Sequence, residues 1–405
     1  MLANKAEYDI IVVGAGPAGL AAAKLTAELG AKTLIIEEHP SIGTPVQCGE
    51  VFHRYLLDKL ELDNEGIVVN EPRGVRIYSP NRKLAEITVA ESASSPLVMI
   101  ERKNLEKRLA IQVANKGAKI ITKARAVRIL KENNFVVGVV VNHLGAEYEF
   151  ASKIVIACDG PNSSMARSAG IDVYRAIENF DSCVQFQLAN IEIDERIAEI
   201  YLGACAPGGY TWILPKGKKF ANVGLGVSSK FGNRALKYLN EFIENDKRLR
   251  NGSIIEVNAG IVPLGGASEK LVDNGLMIVG DAARQVNPLT GGGMVFAIKA
   301  ALAAGTVAVE AIANKDYSQN FLLKYEKIWN NDIGRWFPAF KKLQELVLKL
   351  SYEELDELIG GIGKLEIAGE EEPWYPALKQ IFKLLLLNPK LMVKFSSIIP
   401  YFFIK

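Results

Sequence analysis

Residues 8–37 read YDIIVVGAGPAGLAAAKLTAELGAKTLIIE, and the fold follows from them. Ile10 to Val13 predict a buried strand, Gly14-Ala15-Gly16-Pro17-Ala18-Gly19 a turn, and the Ala-rich run that ends near Gly30 a helix. Gly14 permits the tight turn and Gly16 lets the backbone approach a pyrophosphate. Gly19, with Ala23, lets the helix lie close on the sheet with its N-terminus towards the phosphates. A second strand, Thr33 to Ile36, delivers the carboxylate of Glu37 about twenty residues after the glycines, where a ribose offers hydroxyl donors. A glycine turn by itself can be purely structural. The strand before it, the helix after it and the acid at this spacing together predict a dinucleotide site. The acid favours an unphosphorylated ribose, hence FAD or NAD over NADP.

The chain has 405 residues, enough for two or three domains or one large two-domain enzyme, and 49% of them are aliphatic or aromatic. With 48 basic and 46 acidic residues the formal charge is +2, which gives no electrostatic case for a nucleic-acid partner. Cys48, Cys158, Cys183 and Cys205 show neither CxxC nor zinc spacing, so no metal site is expected and a reducing, cytoplasmic compartment is. No signal peptide is read at the start, and no uninterrupted apolar run reaches membrane-spanning length.

After Glu37 an irregular loop, EHPSIGTPVQCGEV, is followed by a short helix over 53–62, strands over 74–98 turning at Ser79-Pro80-Asn81, and an amphipathic helix over 101–115 with Leu105, Leu109, Ile111 and Val113 as its apolar residues. A strand over 119–130 and a hairpin over 135–150 precede a separate short strand, 153–157, that ends at Cys158-Asp159-Gly160. From about 181 to 262 the period becomes mostly strand-like. Leu276 to Val279 restores the buried-strand pattern and stops at Gly280-Asp281, and a long apolar helix runs from about 292 to 313. Gly360-Gly361-Ile362-Gly363 has no strand before it and reads as a helix break, not as a second nucleotide turn. The expected fold is α/β (α+β overall). Residues 1–180 with 263–330 form a Rossmann-like nucleotide domain, 181–262 an inserted antiparallel-sheet substrate domain, and 331–405 a helical C-terminal region.

Three apolar strands each end in a glycine-containing turn: GAGPAG, Cys158-Asp159-Gly160 and Gly280-Asp281-Ala282-Ala283. This order resembles the para-hydroxybenzoate hydroxylase-like flavoproteins. The resemblance implies FAD, with Asp281 accepting from the ribityl chain and Arg102 at the pyrophosphate or ribityl region. Asp159 would line the cleft near Arg167, and Ala126 would be a further cofactor contact. Asn287-Pro288-Leu289-Thr290-Gly291-Gly292-Gly293-Met294 leaves backbone N–H groups bare at a helix start, a place for the anionic edge of a reduced flavin; an unliganded loop is the plainer reading.

Two more stretches narrow the reaction: Pro45-Val46-Gln47-Cys48-Gly49-Glu50, and Tyr210-Thr211-Trp212-Ile213-Leu214-Pro215-Lys216-Gly217 with Asn222-Val223-Gly224 after it. With GGGM they resemble the geranylgeranyl reductase family, whose archaeal members hydrogenate the isoprenoid chains of membrane lipids. Leu214 stands where that family's Tyr-x-Trp-x-Phe-Pro motif has Phe. The resemblance covers roughly residues 8 to 330 and implies Cys48 and Gly49 beside FAD, with Cys48 the catalytic candidate. Tyr210, Trp212, Leu214 and Pro215 would bind substrate. As strand residues, 210, 212 and 214 share one face, a wall for a polyprenyl chain; by pattern alone this is more often ordinary sheet core.

The expected reaction is hydride transfer from reduced FAD to an isolated double bond of a geranylgeranyl lipid precursor, with electrons from ferredoxin, reduced deazaflavin or NAD(P)H. The alternatives are a chlorophyll side chain as substrate, an aromatic hydroxylase or halogenase, or a non-catalytic carrier of flavin and prenyl lipid. Residues 374–405, rich in Leu, Ile and Phe between lysines, read equally as a cap on the core or as a peripheral contact at the inner face of the membrane.

Overall fold

The computed structural model describes residues 6–89, 97–173, 179–232, 234–367 and 393–397. It divides into two compact units. The first comprises Met1–Val46, Arg102–Ala176 and Pro263–Phe337, and the second Gln47–Glu101, Ile177–Val262 and Pro338–Lys405.

The first unit is built on a sheet in the order Val272–Asp273, Leu276–Ile278, Ala146–Ala157, Ala6–Val13, Thr33–Ile36, Lys119–Ile121. Apart from the antiparallel pair of its first two strands, this order is parallel. Ile10–Val13, Leu34–Ile36 and Ile154–Ala157 are almost wholly buried, the uniform apolar pattern of strands covered on both faces. The helices Pro17–Glu28 and Met294–Asn314 pack on each other. The latter is long and apolar enough to cross a membrane, yet its buried face, including Ile298, Ala301, Ala304 and Ala308, makes it a core helix of this unit. The separate strand expected at 153–157 is the end of one twelve-residue strand. Its first part pairs antiparallel with Phe135–His143, and Phe150 to Ala157 run parallel to Ala6–Val13. The expected strand over 119–130 is two, Lys119–Ile121 and Ala124–Glu132, broken at Lys123 in a left-handed conformation. Helix Arg102–Asn115 buries Leu105, Leu109 and Val113 as expected but leaves Ile111 59% exposed, because 111 falls between the turns that face inward.

The second unit is larger than the expected insertion. Its eight-stranded sheet runs Ser253–Pro263, Phe180–Ala189, Phe220–Ser228, Tyr210–Gly217, Ile197–Leu202, Gly74–Tyr78, Leu84–Val89, Lys364–Ile367. Residues 47–101, assigned from sequence to the nucleotide domain, therefore belong here, since Gly74–Tyr78 pairs in parallel with Ile197–Leu202. The C-terminal region is not purely helical. Helix Tyr352–Ile362 runs through Gly360 and Gly361, turns at Gly363, and delivers a strand parallel to Leu84–Val89. One face of the sheet packs Val184, Phe186, Leu188, Ile213, Val223 and Leu225 against helix Ala235–Asn245, an element the strand-like period had hidden. The tail at 374–405 lies outside the described residues except for 393–397.

Candidate active site

In the first unit the expected nucleotide residues converge on the carboxyl ends of the parallel strands, where open α/β sheets bind ligands. Gly14 takes φ +96°, and a Cβ there would stand 2.3 Å from the carbonyl oxygen of Cys158, so only glycine lets the first and middle strands approach this closely. Glu37 ties the fingerprint together. One carboxylate oxygen accepts from Ala15 N at 2.7 Å, and the other accepts from His39 N at 2.8 Å and pairs with His39 Nδ1 at 2.7 Å. Arg102 donates from Nε to Glu106 at 2.5 Å, and its Nη2 lies 3.9 Å from where a Cβ of Gly16 would be.

Asp159 Oδ2 accepts from Met165 N at 2.9 Å, while its Oδ1 is buried with no partner among the described residues. Burial raises the pKa of Asp159, against the backbone N–H groups and Arg167 that lower it. Burial also raises Asp281, with Arg102 and Arg284 pulling down. Gly293 closes over that carboxyl: a Cβ on it would lie 3.2 Å from Asp281 Oδ1. The loop before Met294–Asn314 is held by Asn287, whose Oδ1 accepts from Leu289 N and whose backbone exchanges bonds with Gly291 and Gly292. The helix starts on Gly293, which has no side chain to cap it. Ala126 sits two residues beyond Ala124, which donates to the Glu37 carbonyl.

These residues fit FAD. A side-chain-free turn leads into a helix N-terminus, an acid follows at the spacing of a ribose partner, a carboxylate oxygen of Asp159 is buried without a partner among the described residues, and Asp281 feels the charge of two arginines.

The second unit brings together the two stretches that narrowed the reaction. Tyr210, Trp212 and Leu214 do share one face of the sheet. Their register partners across the ladder are Gly226, Gly224 and Asn222, and beyond those Cys183, Gln185 and Gln187. On the other side the face continues through Leu202, Ile200, Ala198, Ile77 and Val75, most of them half-buried. The Trp212 ring lies over Gly224, filling the space of a Cβ there, and its Nε1 donates to Gln185 Oε1 at 2.9 Å. Leu214 packs with Met99 and Ala198.

The half-buried Cys48 turn rests on the same face. Gln185 Nε2 donates to Cys48 O at 3.1 Å, Asn222 Nδ2 donates to Gly49 O at 3.2 Å, and Leu214 Cδ1 lies 3.1 Å from where a Cβ of Gly49 would be. Pro215 is buried, and its carbonyl accepts from Asn70 Nδ2 at 2.8 Å.

Sequence reasoning gave no role to four residues of this face, although Lys216 and Asn222 stood in its quoted motifs. Gln185, Lys216 and Asn222 hold the Cys48 turn. Period-2 alternation could have found Gln185, which with Gln187 alternates against Val184, Phe186 and Leu188. Asp181 is the fourth: 8% exposed, with its carboxyl pushed up to about 6 by burial against the pull of Lys341. Among the described residues no group of His, Cys, Asp and Glu gathers as a metal site.

The Geranylgeranyl reductase catalytic domain model matches residues 179–262, and the FAD dependent oxidoreductase model matches 9–207. The digeranylgeranylglycerophospholipid reductase of Methanosarcina acetivorans is 40% identical over 383 residues, 93% of each chain. That of Methanocaldococcus jannaschii is 40% identical over 88% of this chain and 91% of its own. A solved geranylgeranyl bacteriochlorophyll reductase-like protein from Thermoplasma acidophilum superposes with a TM-score of 0.90 at 33% identity, covering 97% of this chain and all of the other.

Proposed function

The chain belongs to the digeranylgeranylglycerophospholipid reductase family and is an FAD-dependent geranylgeranyl reductase, and from that premise we propose that the sheet face of Tyr210, Trp212 and Leu214 receives the prenyl chain. The observation that carries this is the continuous row of half-buried apolar residues from Trp212 through Ile200 to Ile77, on the face opposite the helix-covered core. A polyprenyl chain has no polar group to hold, so it is fixed by shape and by exclusion of water.

When bound and reduced, FAD would supply the hydride that adds to one carbon of an isolated double bond, while a proton from water or a nearby acid adds to the other. The protein holds the pyrophosphate with the Gly14–Gly19 turn and the ribose with Glu37, and presents Asp281 to the polar chain between ring and phosphates. An unactivated alkene is a poor acceptor, so positioning and a dry surface count for more than a strong acid. Cys48 takes part in the reaction from the turn over this face.

The reductant comes from outside: ferredoxin, a reduced deazaflavin or a transiently bound NAD(P)H. What supports an external donor is that the chain carries one dinucleotide fingerprint, already committed to FAD. The protein works in the cytoplasm, in peripheral contact with the inner face of the membrane through residues 374–405; the support for this is the apolar, lysine-punctuated composition of that tail and a lipid substrate.

The test is anaerobic. Dithionite-reduced holoenzyme is mixed with geranylgeranylglyceryl phospholipid while flavin colour and lipid mass are followed, with wild type compared to Ile200→Asp. Wild type gains two hydrogens per bond as the flavin reoxidises, and the variant keeps its flavin but loses lipid turnover. An Ile200→Asp protein that reduces lipid at the wild-type rate removes this face from the substrate path.

A further inference from the structure

Three consecutive residues of the Cys48 turn are gripped by three side chains from one sheet face. Gln185 holds the Cys48 carbonyl, Asn222 the Gly49 carbonyl, and Lys216 and Asn222 together the Glu50 carboxylate, at 2.7 and 2.8 Å from the same oxygen. Lys216 also reaches Glu101 Oε1 at 2.6 Å. The side chains of Lys216 and Glu50 are both 0% exposed.

A lysine and a glutamate without any solvent contact are a costly way to fill space. Apolar residues of similar volume commonly serve stability as well or better, so such a pair is best explained by the geometry it imposes. That geometry is specific here. Glu50 takes φ +67°, a left-handed conformation unfavourable for a residue with a Cβ. In this conformation its backbone N–H donates to Cys48 Sγ at 3.2 Å, and its carbonyl accepts from Ile100 N at 3.0 Å. The sheet face holds Glu50 by its carboxylate, and Lys216 is the cation on it. Asn222 is fixed by the same arrangement: its two hydrogen bonds to the turn both come from Nδ2, and Oδ1 stays buried without a partner among the described residues.

We infer that Lys216 is a positioning residue: through its buried pair with Glu50 it locks the Cys48-Gly49-Glu50 turn in the conformation that aims the Cys48 thiol. This rests on the reading that Cys48 takes part in the reduction. Lys216 acts through Glu50 and does not itself meet the reacting atoms. The chain anchors the turn from the same strand that carries Tyr210, Trp212 and Leu214, so the thiol and the apolar wall are set in one register.

The experiment uses holoenzyme of wild type, Lys216→Met, Glu50→Gln/Lys216→Met and Cys48→Ser. The double variant removes both charges and keeps a fold that the single variant, with its stranded carboxylate, can lose. Iodoacetamide modification of Cys48 is followed by peptide mass spectrometry with Cys205 as internal reference, beside flavin content, thermal midpoint and single-turnover reoxidation by geranylgeranylglyceryl lipid.

The expected result is a double variant with wild-type flavin content and midpoint, Cys48 modified about tenfold faster as the turn opens, and single-turnover rate lowered about tenfold or more. A folded double variant with wild-type Cys48 modification overturns the inference. So does a double variant that fails to fold, since the pair is then a folding element. Wild-type turnover in Cys48→Ser would refute the role of Cys48 and leave the modification rate to decide the clamp.

Discussion

Asp181→Asn isolates what a buried carboxylate costs on the sheet face proposed to receive the prenyl chain. Asp181 shares its face with Cys183 and, across the ladder, Ser228, and a Cβ on Gly209 would lie 3.4 Å from its Oδ2. The groups that bear on it are Lys341, which pulls its pKa down, and the neutral Cys183 and Tyr210, whose own pKa values it raises. Burial outweighs Lys341 and pushes the carboxyl from 3.8 to about 6. The folded state thus binds this proton more tightly than the unfolded chain. Stability is undiminished below pH 3.8 and is lost as pH rises through about 6. The gap corresponds to about 3 kcal/mol, or about 6–12 °C in the midpoint of a domain of this size.

The assay is thermal unfolding of wild type and Asp181→Asn from pH 4 to pH 8, read as the difference between the two midpoints. The difference cancels every other titrating group and any pH-independent cost of the amide. It should open in favour of Asn between pH 4 and pH 7 and then level off. Parallel curves across that range would show that the carboxyl titrates alike folded and unfolded, and the desolvation argument would fail.

Gly14→Ala forces a Cβ to 2.3 Å from the Cys158 carbonyl at φ +96°, so the protein should lose its visible flavin absorbance and about 3 kcal/mol or more of stability. Glu37→Ala removes the acceptor of Ala15 N and His39 N; flavin binding, measured by fluorescence quenching on reconstitution, should weaken about 10- to 100-fold. Trp212→Phe keeps a ring over Gly224 but deletes the bond to Gln185. It should cost about 1 kcal/mol in thermal unfolding and slow lipid reduction with flavin content unchanged; an unaltered rate would count against the Trp212–Gln185–Cys48 connection.

The nucleotide half was legible because its constraints are local. A strand, a glycine turn, a helix and an acid are set by spacing within thirty residues, and Gly14, Ala15 and Glu37 meet as that spacing requires. The motifs at 45–50 and 210–215 were legible as strings but not as one site. Their meeting depends on Gln185 and Asn222 reaching up from strands that pair only in the folded sheet. Domain membership failed at 47–101 for the same reason: a parallel pair such as Gly74 with Ile197 joins residues more than a hundred positions apart, and no local pattern announces it. The helix break read at 360–363 holds, but it falls on the last residue: the helix runs through Gly360 and Gly361 and stops at Gly363, which takes φ +60°.

By itself, then, the sequence determined a dinucleotide fold, since a strand, a glycine turn, a helix and an acid are written in short-range spacing that backbone geometry converts directly into position, and the reductase chemistry was implied by the resemblance its motifs carry. Only the tertiary structure decided which strands share a sheet, that Trp212 lies on Gly224, and that Lys216 and Glu50 are sealed together beneath Cys48. Those facts rest on burial and on pairing between distant segments, and an ion pair acquires its meaning only when the surrounding chain has removed the water.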